Sequence, residues 1–215
     1  MLARDYMTRS VVTVHPDDFL IDVRKTMQEQ GIRHIPVVDQ GMLVGIVSLN
    51  TIRDAAPSKA TDLSIHEVHY LLSKMKIRDV MKKKVVTCAP EDHVEDVAKV
   101  METRGIGAVP VVDKGKVVGI LTNRDMFRIL MKILGMDSPG KRITLEMERG
   151  RGELLVDIVR AVKERGKFIK SMLSMESPHA GRQTVILHLD QSEMSGVVDA
   201  LKGLGFDVQS VDEVE

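Results

Sequence analysis

The sequence predicts an α+β protein built as a tandem pair of β-α-β-β-α repeats followed by a separate β-α-β-β-α-β unit. Three observations point there. The stretch from Arg4 through Ile52 aligns without a gap on Arg78 through Met126, so that Met7 falls on Met81. From about Lys141 the apolar period changes in the order strand, helix, strand, strand, helix, strand. The 215 residues, 43% hydrophobic and 29% charged, suffice for two modest cores and exclude general disorder.

Within the repeat, matches fall where backbone geometry is demanding. Val11-Val12-Thr13 returns as Val85-Val86-Thr87, Pro16 as Pro90, and Pro36-Val37-Val38-Asp39 as Pro110-Val111-Val112-Asp113. After a short first strand and its proline, Leu20, Val23 and Met27 recur at helical spacing, with Gly31 at the left-handed C-terminal cap. Val94, Val97, Met101 and Gly105 repeat this. Two β-branched runs, 35–38 and 43–47, are joined by Asp39-Gln40-Gly41, a hairpin signal that returns as Asp113-Lys114-Gly115. A three-stranded sheet with two helices cannot cover both of its faces, so each copy needs the other, packed as a pseudo-two-fold pair.

Between the copies, residues 55–76 read as a polar turn and a connector helix with Ile65, Val68, His69 and Leu72 along one side. Ser64-Ile65-His66-Glu67 is a capping box that starts it. The rival reading, with His66, Glu67 and His69 as metal ligands, lacks the His-Glu-x-x-His spacing of a zinc site. After the turn-rich Gly135-Met136-Asp137-Ser138-Pro139-Gly140, the residues Ile143, Leu145 and Met147 alternate as a strand, and Leu155, Ile158, Val159 and Val162 mark a helix. Residues 168–175 and 184–189 read as two further strands. Met194, Val197, Val198 and Leu201 mark a second helix that Gly205 ends, and 206–211 is the last strand. That order is ferredoxin-like.

Lysine plus arginine equals aspartate plus glutamate at 31 each, which leaves no net positive charge to hold a nucleic acid or an anionic membrane. The first ten residues lack the apolar core of a secretory signal, and no stretch is long enough to span a bilayer. The single cysteine, Cys88, allows no intramolecular disulfide, so the location expected is cytoplasmic. In the apolar run Val85-Val86-Thr87-Cys88 a buried thiol is the expected role and a reactive thiol the alternative. No Gly-x-Ser-x-Gly elbow, Walker A lysine, His-Glu-x-x-His or cysteine-histidine set occurs, so neither catalysis nor a metal is expected.

The threonine and proline around the first strand, the Gly-Ile before Pro-Val-Val-Asp, and the Gly-Ile-x-Ser/Thr after it resemble the CBS motif. The likeness covers two copies, 1–56 and 77–134, with a connector at 57–76, as in a Bateman module. With the 57–64 connector, the Tyr70-Leu71-Leu72-Ser73-Lys74 helix and the segment 141–215, which looks like an ACT domain with Gly152 at its first turn, the chain is similar to the acetoin-utilisation proteins of that family. The resemblance implies a regulatory, energy-sensing protein that needs no cofactor. It implies an adenine nucleotide as regulatory ligand (AMP, ADP, ATP, S-adenosylmethionine or an NAD-like molecule) and a homodimer that signals to a protein partner still to be identified.

The resemblance also assigns residues. In CBS pairs the aspartate matching Asp125 accepts hydrogen bonds from both ribose hydroxyls, while the threonine matching Thr122 and the helix start face phosphate. The physical chemistry agrees: a carboxylate offers two acceptors to vicinal hydroxyls, a helix N-terminus favours anions, and Arg124 adds a positive charge. Thr122-x-x-Asp125 is equally a capping box, and the two readings stand together. Thr13, Val14, His15 and Pro16 of the first copy would form the adenine slot. At the pseudo-symmetric second site Ser48-Leu49-Asn50-Thr51 puts Thr51 where the ribose aspartate belongs, which predicts a weaker or different ligand. Thr87, Pro90, Gly107 and Ala108 would form its slot, with Ser48 and Asn50 at the turn. Arg33-His34 falls where some related proteins hold phosphates, although His34 is also read as an ordinary surface histidine.

The ACT-like turn, Glu148-Arg149-Gly150-Arg151-Gly152-Glu153, carries arginine where amino-acid binders carry an acid, so dimerisation through sheet edges is the expected role. Its Gly-x-Gly is too short for a dinucleotide fingerprint. Two functions remain: an allosteric sensor of an adenosyl ligand, and a ligand-free oligomerisation scaffold.

Overall fold

The computed structural model describes residues 1–55, 70, 72–148, 153–190 and 194–214. The 57–64 connector, the 64–67 capping box with His66, Glu67 and His69, and the 149–152 turn with Gly152 lie outside these residues. Two compact units are present, Met1–Met126 and Phe127–Glu215. Among the described residues no helix is long and apolar enough to cross a membrane.

The first unit carries the repeat. Its first copy comprises α1 (Ala3–Tyr6), α2 (Leu20–Gln30), β1 (His34–Asp39), β2 (Met42–Ser48) and α3 (Leu49–Asp54). The second comprises α4 (Ile77–Val80), α5 (Val94–Arg104), β3 (Ala108–Asp113), β4 (Lys116–Thr122) and the start of α6 (Asn123–Ile133), whose residues from Phe127 on belong to the second unit. Leu20, Val23 and Met27 bury one face of α2, and Val94, Val97 and Met101 do so on α5. Gly31 and Gly105 end these helices at φ 64° and 60°, the left-handed cap their positions call for. Each hairpin turns on two residues with positive φ, Gln40-Gly41 (48° and 79°) and Lys114-Gly115 (49° and 81°). This is the pattern that matches strand twist in a two-residue loop.

The expected first strand is corrected. Each sheet of the pair has two strands, and the third is reduced to one parallel bridge, Val14 to Val37 and Cys88 to Val111. The cause is a shortage of donors and an early turn. Pro16 and Pro90 have no N–H, and one residue past each bridge the chain folds back. There the His15 N–H donates to Asp18 Oδ2 (2.7 Å) and the Ala89 N–H to Asp92 Oδ2 (2.8 Å).

The copies hold each other by reciprocal bridges. Thr8 and Ile120 exchange two backbone hydrogen bonds of 3.0 Å, and Lys82 and Ile46 exchange bonds of 3.0 and 2.9 Å. Backbone can lie this close because the neighbouring strand residues are glycines. A Cβ on Gly45 would stand 2.6 Å from Met81 Sδ, and one on Gly119 would run into Met7.

The second unit has the order β5 (Gly140–Glu148), α7 (Glu153–Lys163), β6 (Ile169–Glu176), β7 (Arg182–Leu189), α8 (Ser195–Gly203) and β8 (Asp207–Val214). Its sheet runs β6-β7-β5-β8, every pair antiparallel. Ile143, Leu145, Val185, Leu187 and Leu189 meet Ile158, Val162, Val197 and Leu201 of the helices in one core. Val159, expected in that core, is exposed, and Ala161 is buried instead, because the inward arc of α7 centres on Ile158 and Val162.

Glu146, alternating with Leu145 and Met147, points to the other side of the sheet. It is 6% exposed yet ionised. Ser177 Oγ donates to Oε1 (2.6 Å), His179 Nδ1 lies 2.9 Å from the same oxygen, and Arg182 Nε pairs with Oε2 at 3.1 Å. The Ser177 and His179 hydrogen bonds, aided by the charges of His179 and Arg182, hold its carboxyl below the ordinary range.

Two outcomes are expected. Gly119→Val should destabilise the repeat unit by roughly 1–3 kcal/mol through overpacking against Met7, read by urea unfolding; a neutral change would show that the crossing tolerates a side chain. The Glu146 contribution should be complete above pH ~4.5 and fade as pH falls through its depressed folded value, since the ionised form is the one stabilised. Melting curves of wild type and Glu146→Gln should therefore converge at acid pH and separate at neutral pH.

Candidate ligand-binding cleft

Two strand-to-helix turns dominate the first unit chemically. At the second-copy turn Asp125, 3% exposed, accepts from the Thr122 N–H (2.9 Å) and from Thr122 Oγ1 (2.6 Å), both at Oδ2. The Asp125 N–H approaches Thr122 Oγ1 at 3.4 Å. This is the reciprocal cap, so of the two roles the sequence offers, the capping one is visible. At the first-copy turn Ser48 Oγ accepts from the Thr51 N–H (3.1 Å) and lies 2.8 Å from Thr51 Oγ1. Thr51 thus fills the capping place that Asp125 fills in the second copy.

The expected adenine slot of the first site is placed around its own hairpin. Val14 bridges β1, and His15 Nε2 lies 3.2 Å from Asp39 Oδ1. Thr13 is exposed, Pro16 is buried, and Arg124 is exposed on α6. What ties this stretch to the Asp125 turn is the Thr8–Ile120 bridge, two residues before Thr122.

A cavity of about 560 Å³ lies at the other site, the one the sequence ranks second. That volume is in the range of small-molecule pockets. Arg33, His34, Ser48, Asn50, Gly107 and Ala108 all line it. The two others do not join them: Thr87 lines a separate cavity of about 360 Å³ beside Cys88 and Val97, and Pro90 lines neither. Burial, with the charge of Asp92 adding, pushes the Cys88 thiol there up to about 11, so it is a protonated core group at neutral pH.

The cleft is assembled by backbone that the two turns share. The Leu49 N–H donates to the Arg33 carbonyl (2.9 Å) and the Asn123 N–H to the Gly107 carbonyl (3.1 Å), which fixes each β-strand entry against the helix start of the same copy. His34 pairs across β1 and β2 with Ser48. Its ring reaches over to the second copy, where a Cβ on Gly107 would lie 3.0 Å from His34 Cε1. Burial, and secondarily the charge of Arg33, lowers the His34 pKa, so the ring is neutral at neutral pH.

Sequence reasoning missed Arg53, Asp54 and Lys82 in the lining. Lys82 falls on Thr8 in the repeat, and it is the pairing with Ile46 in the structure that carries it to the other copy. With Arg33, Arg53 and Lys82 against the single acid Asp54, and with Ile46, Leu49 and Ile106 as apolar wall, the cleft suits an anion with an aromatic or apolar body.

Known proteins share this architecture. The CBS domain model matches residues 3–58 and 77–132, together just over half of the chain. Protein MJ1225 of Methanocaldococcus jannaschii is 33% identical over 129 residues, 58% of this chain, while the chain spans only 45% of that protein's length. A Vibrio cholerae protein named for acetoin utilization (AcuB) superposes with a TM-score of 0.54 at 30% identity, over 64% of this chain and 95% of its own. The CBS domain pair of protein MJ0100, solved in complex with 5′-methylthioadenosine and S-adenosyl-L-methionine, superposes with a TM-score of 0.51 at 30% identity, over 60% of this chain and 95% of its own. The ungapped repeat, the crossed bridges and the matched residues agree, and the chain belongs to the CBS domain family as a tandem pair.

Proposed function

We propose that this protein is a non-catalytic sensor that binds an adenosyl ligand in the cleft lined by Arg33, His34, Ser48, Asn50, Gly107 and Ala108. The observation that carries this is the cleft itself, large enough for a nucleotide and bearing three cations against one acid. The adenosyl compounds held by the similar MJ0100 pair support the ligand class. We read the second unit as a ferredoxin-like ACT domain on its β-α-β-β-α-β order, which joins two chains through a sheet edge and passes occupancy to a protein partner. Likeness to the V. cholerae protein supports a place in acetoin use. The Asp125 turn, with Thr122, Arg124 and Thr13–Pro16, is the second place an adenosyl ligand would be sought.

A ligand that binds only the folded state raises the melting temperature, by a stabilisation of about 2.7 kcal/mol at a hundredfold excess over Kd. At least one of AMP, ADP, ATP, S-adenosylmethionine and NAD should do so, and Gly107→Val, whose Cβ would stand 3.0 Å from His34 Cε1, should abolish the shift measured against its own ligand-free melt, which the crowding lowers. No shift with any of them would favour the ligand-free scaffold. Asp125→Ala should cost roughly 1 kcal/mol of stability as a lost cap and leave affinity at the Arg33 cleft unchanged; reduced affinity in calorimetry would return the ribose role to Asp125.

A further inference from the structure

The chemistry of the cleft narrows its ligand further than the adenosyl class, a narrowing that rests on the cleft being the adenosyl site. The charged groups around His34 come from every side. Arg33 precedes it on the same strand entry, Arg53 and Asp54 project from α3, and Lys82 arrives on the segment that pairs with β2. Besides Lys82, the second copy contributes uncharged groups to the lining: Gly105, Ile106, Gly107, Ala108 and Asn123. The ring is held in place by the missing Cβ of Gly107, with Asn123 Nδ2 3.6 Å from that same Cβ position. His34 is therefore a neutral imidazole beside Gly107, in a cleft whose lining carries three cations and one acid. It stays neutral because the loss of water, and secondarily the charge of Arg33, disfavour a further positive charge.

An anion entering between Arg33, Arg53 and Lys82 removes that objection. It cancels the cationic field at the ring and offers a hydrogen-bond acceptor to an imidazolium N–H. A sulfonium nucleoside does the opposite, adding a positive charge to a wall that already carries an excess of them. We propose that the cleft selects a multiply charged nucleotide phosphate over a sulfonium nucleoside, and that His34 takes up a proton from solvent as the phosphate enters. The bound form then holds one more proton than the free form, so affinity rises as pH falls, by up to about tenfold per pH unit in the window between the free and bound His34 pKa values.

Titration calorimetry on the full chain tests both parts, with ADP and S-adenosylmethionine as probes at about pH 6.5, 7.5 and 8.5, in two buffers of different ionisation enthalpy. ADP should bind at least about tenfold tighter than S-adenosylmethionine, with net proton uptake. His34→Asn should lose the extra pH dependence of ADP binding. ADP's own phosphate titrates in this range, so the difference between wild type and His34→Asn isolates the histidine. S-adenosylmethionine binding as tightly as ADP overturns the selectivity, and an unchanged pH slope in His34→Asn overturns the proton uptake, each leaving the adenosyl reading intact. No heat from any adenosyl ligand removes that reading and this inference with it.

Discussion

The pair of crossed backbone bridges is the constraint on which the first unit depends. Thr8 exchanges both hydrogen bonds with Ile120, and Lys82 with Ile46, so the segment entering each copy lies on the second strand of the other. Without these segments β2 and β4 would each present an unpaired edge, a template for association with other chains. Met7 and Met81 cross directly over Gly119 and Gly45, and only a residue without Cβ permits that approach. Each crossing segment then returns to its own copy as the single parallel bridge, Val14 on Val37 or Cys88 on Val111. One short extended segment thus binds both halves, and neither copy is complete alone.

The same crossings place charged groups of the cleft. Ile46 and Ile120 sit two residues before the serine and threonine that cap α3 and α6, so each crossing segment is delivered beside a helix start. Lys82 reaches the Arg33 cleft for this reason, with no nearby residue in sequence to account for it. Capping and binding are also linked. A turn that holds its helix start with a side chain has a fixed geometry to offer a ligand, and the Ser48–Thr51 and Thr122–Asp125 pairs both supply that rigidity.

Much of this was legible in the sequence because the deciding interactions are local or repeated. Gly31 and Gly105 needed the left-handed region, Gln40-Gly41 and Lys114-Gly115 needed a tight hairpin, and the helical triplets Leu20-Val23-Met27 and Val94-Val97-Met101 needed one buried face. The extent of the first strand was not legible, because it depends on how many donors remain after Pro16 and Pro90 and on the Asp18 and Asp92 turns that use the next N–H. The Glu146 cluster was hidden for another reason: Ser177, His179 and Arg182 reach it only once β5 and β7 are in register, with Glu148 opposite Arg182. Six of the eight residues predicted for the second site line the cleft, and Thr87 and Pro90 do not. Thr87 and Pro90 were placed by the same likeness of motif as Gly107 and Ala108, but the six sit at strand entries and turns whose backbone is fixed by the Arg33 and Gly107 carbonyls.

The cleft exists because the two copies diverged at one pair of positions. Arg33-His34 falls on Gly107-Ala108 in the repeat, and the two pairs meet near the pseudo-two-fold axis. An arginine at 107 would begin with a Cβ already 3.0 Å from the His34 ring, closer than carbon atoms pack, and its charge would face Arg33 across a low-dielectric gap. A symmetric duplication could therefore bring cations to neither side without closing the space between them. With Gly107 and Ala108 small, open space remains opposite Arg33 and His34, so the lining of the cleft is asymmetric.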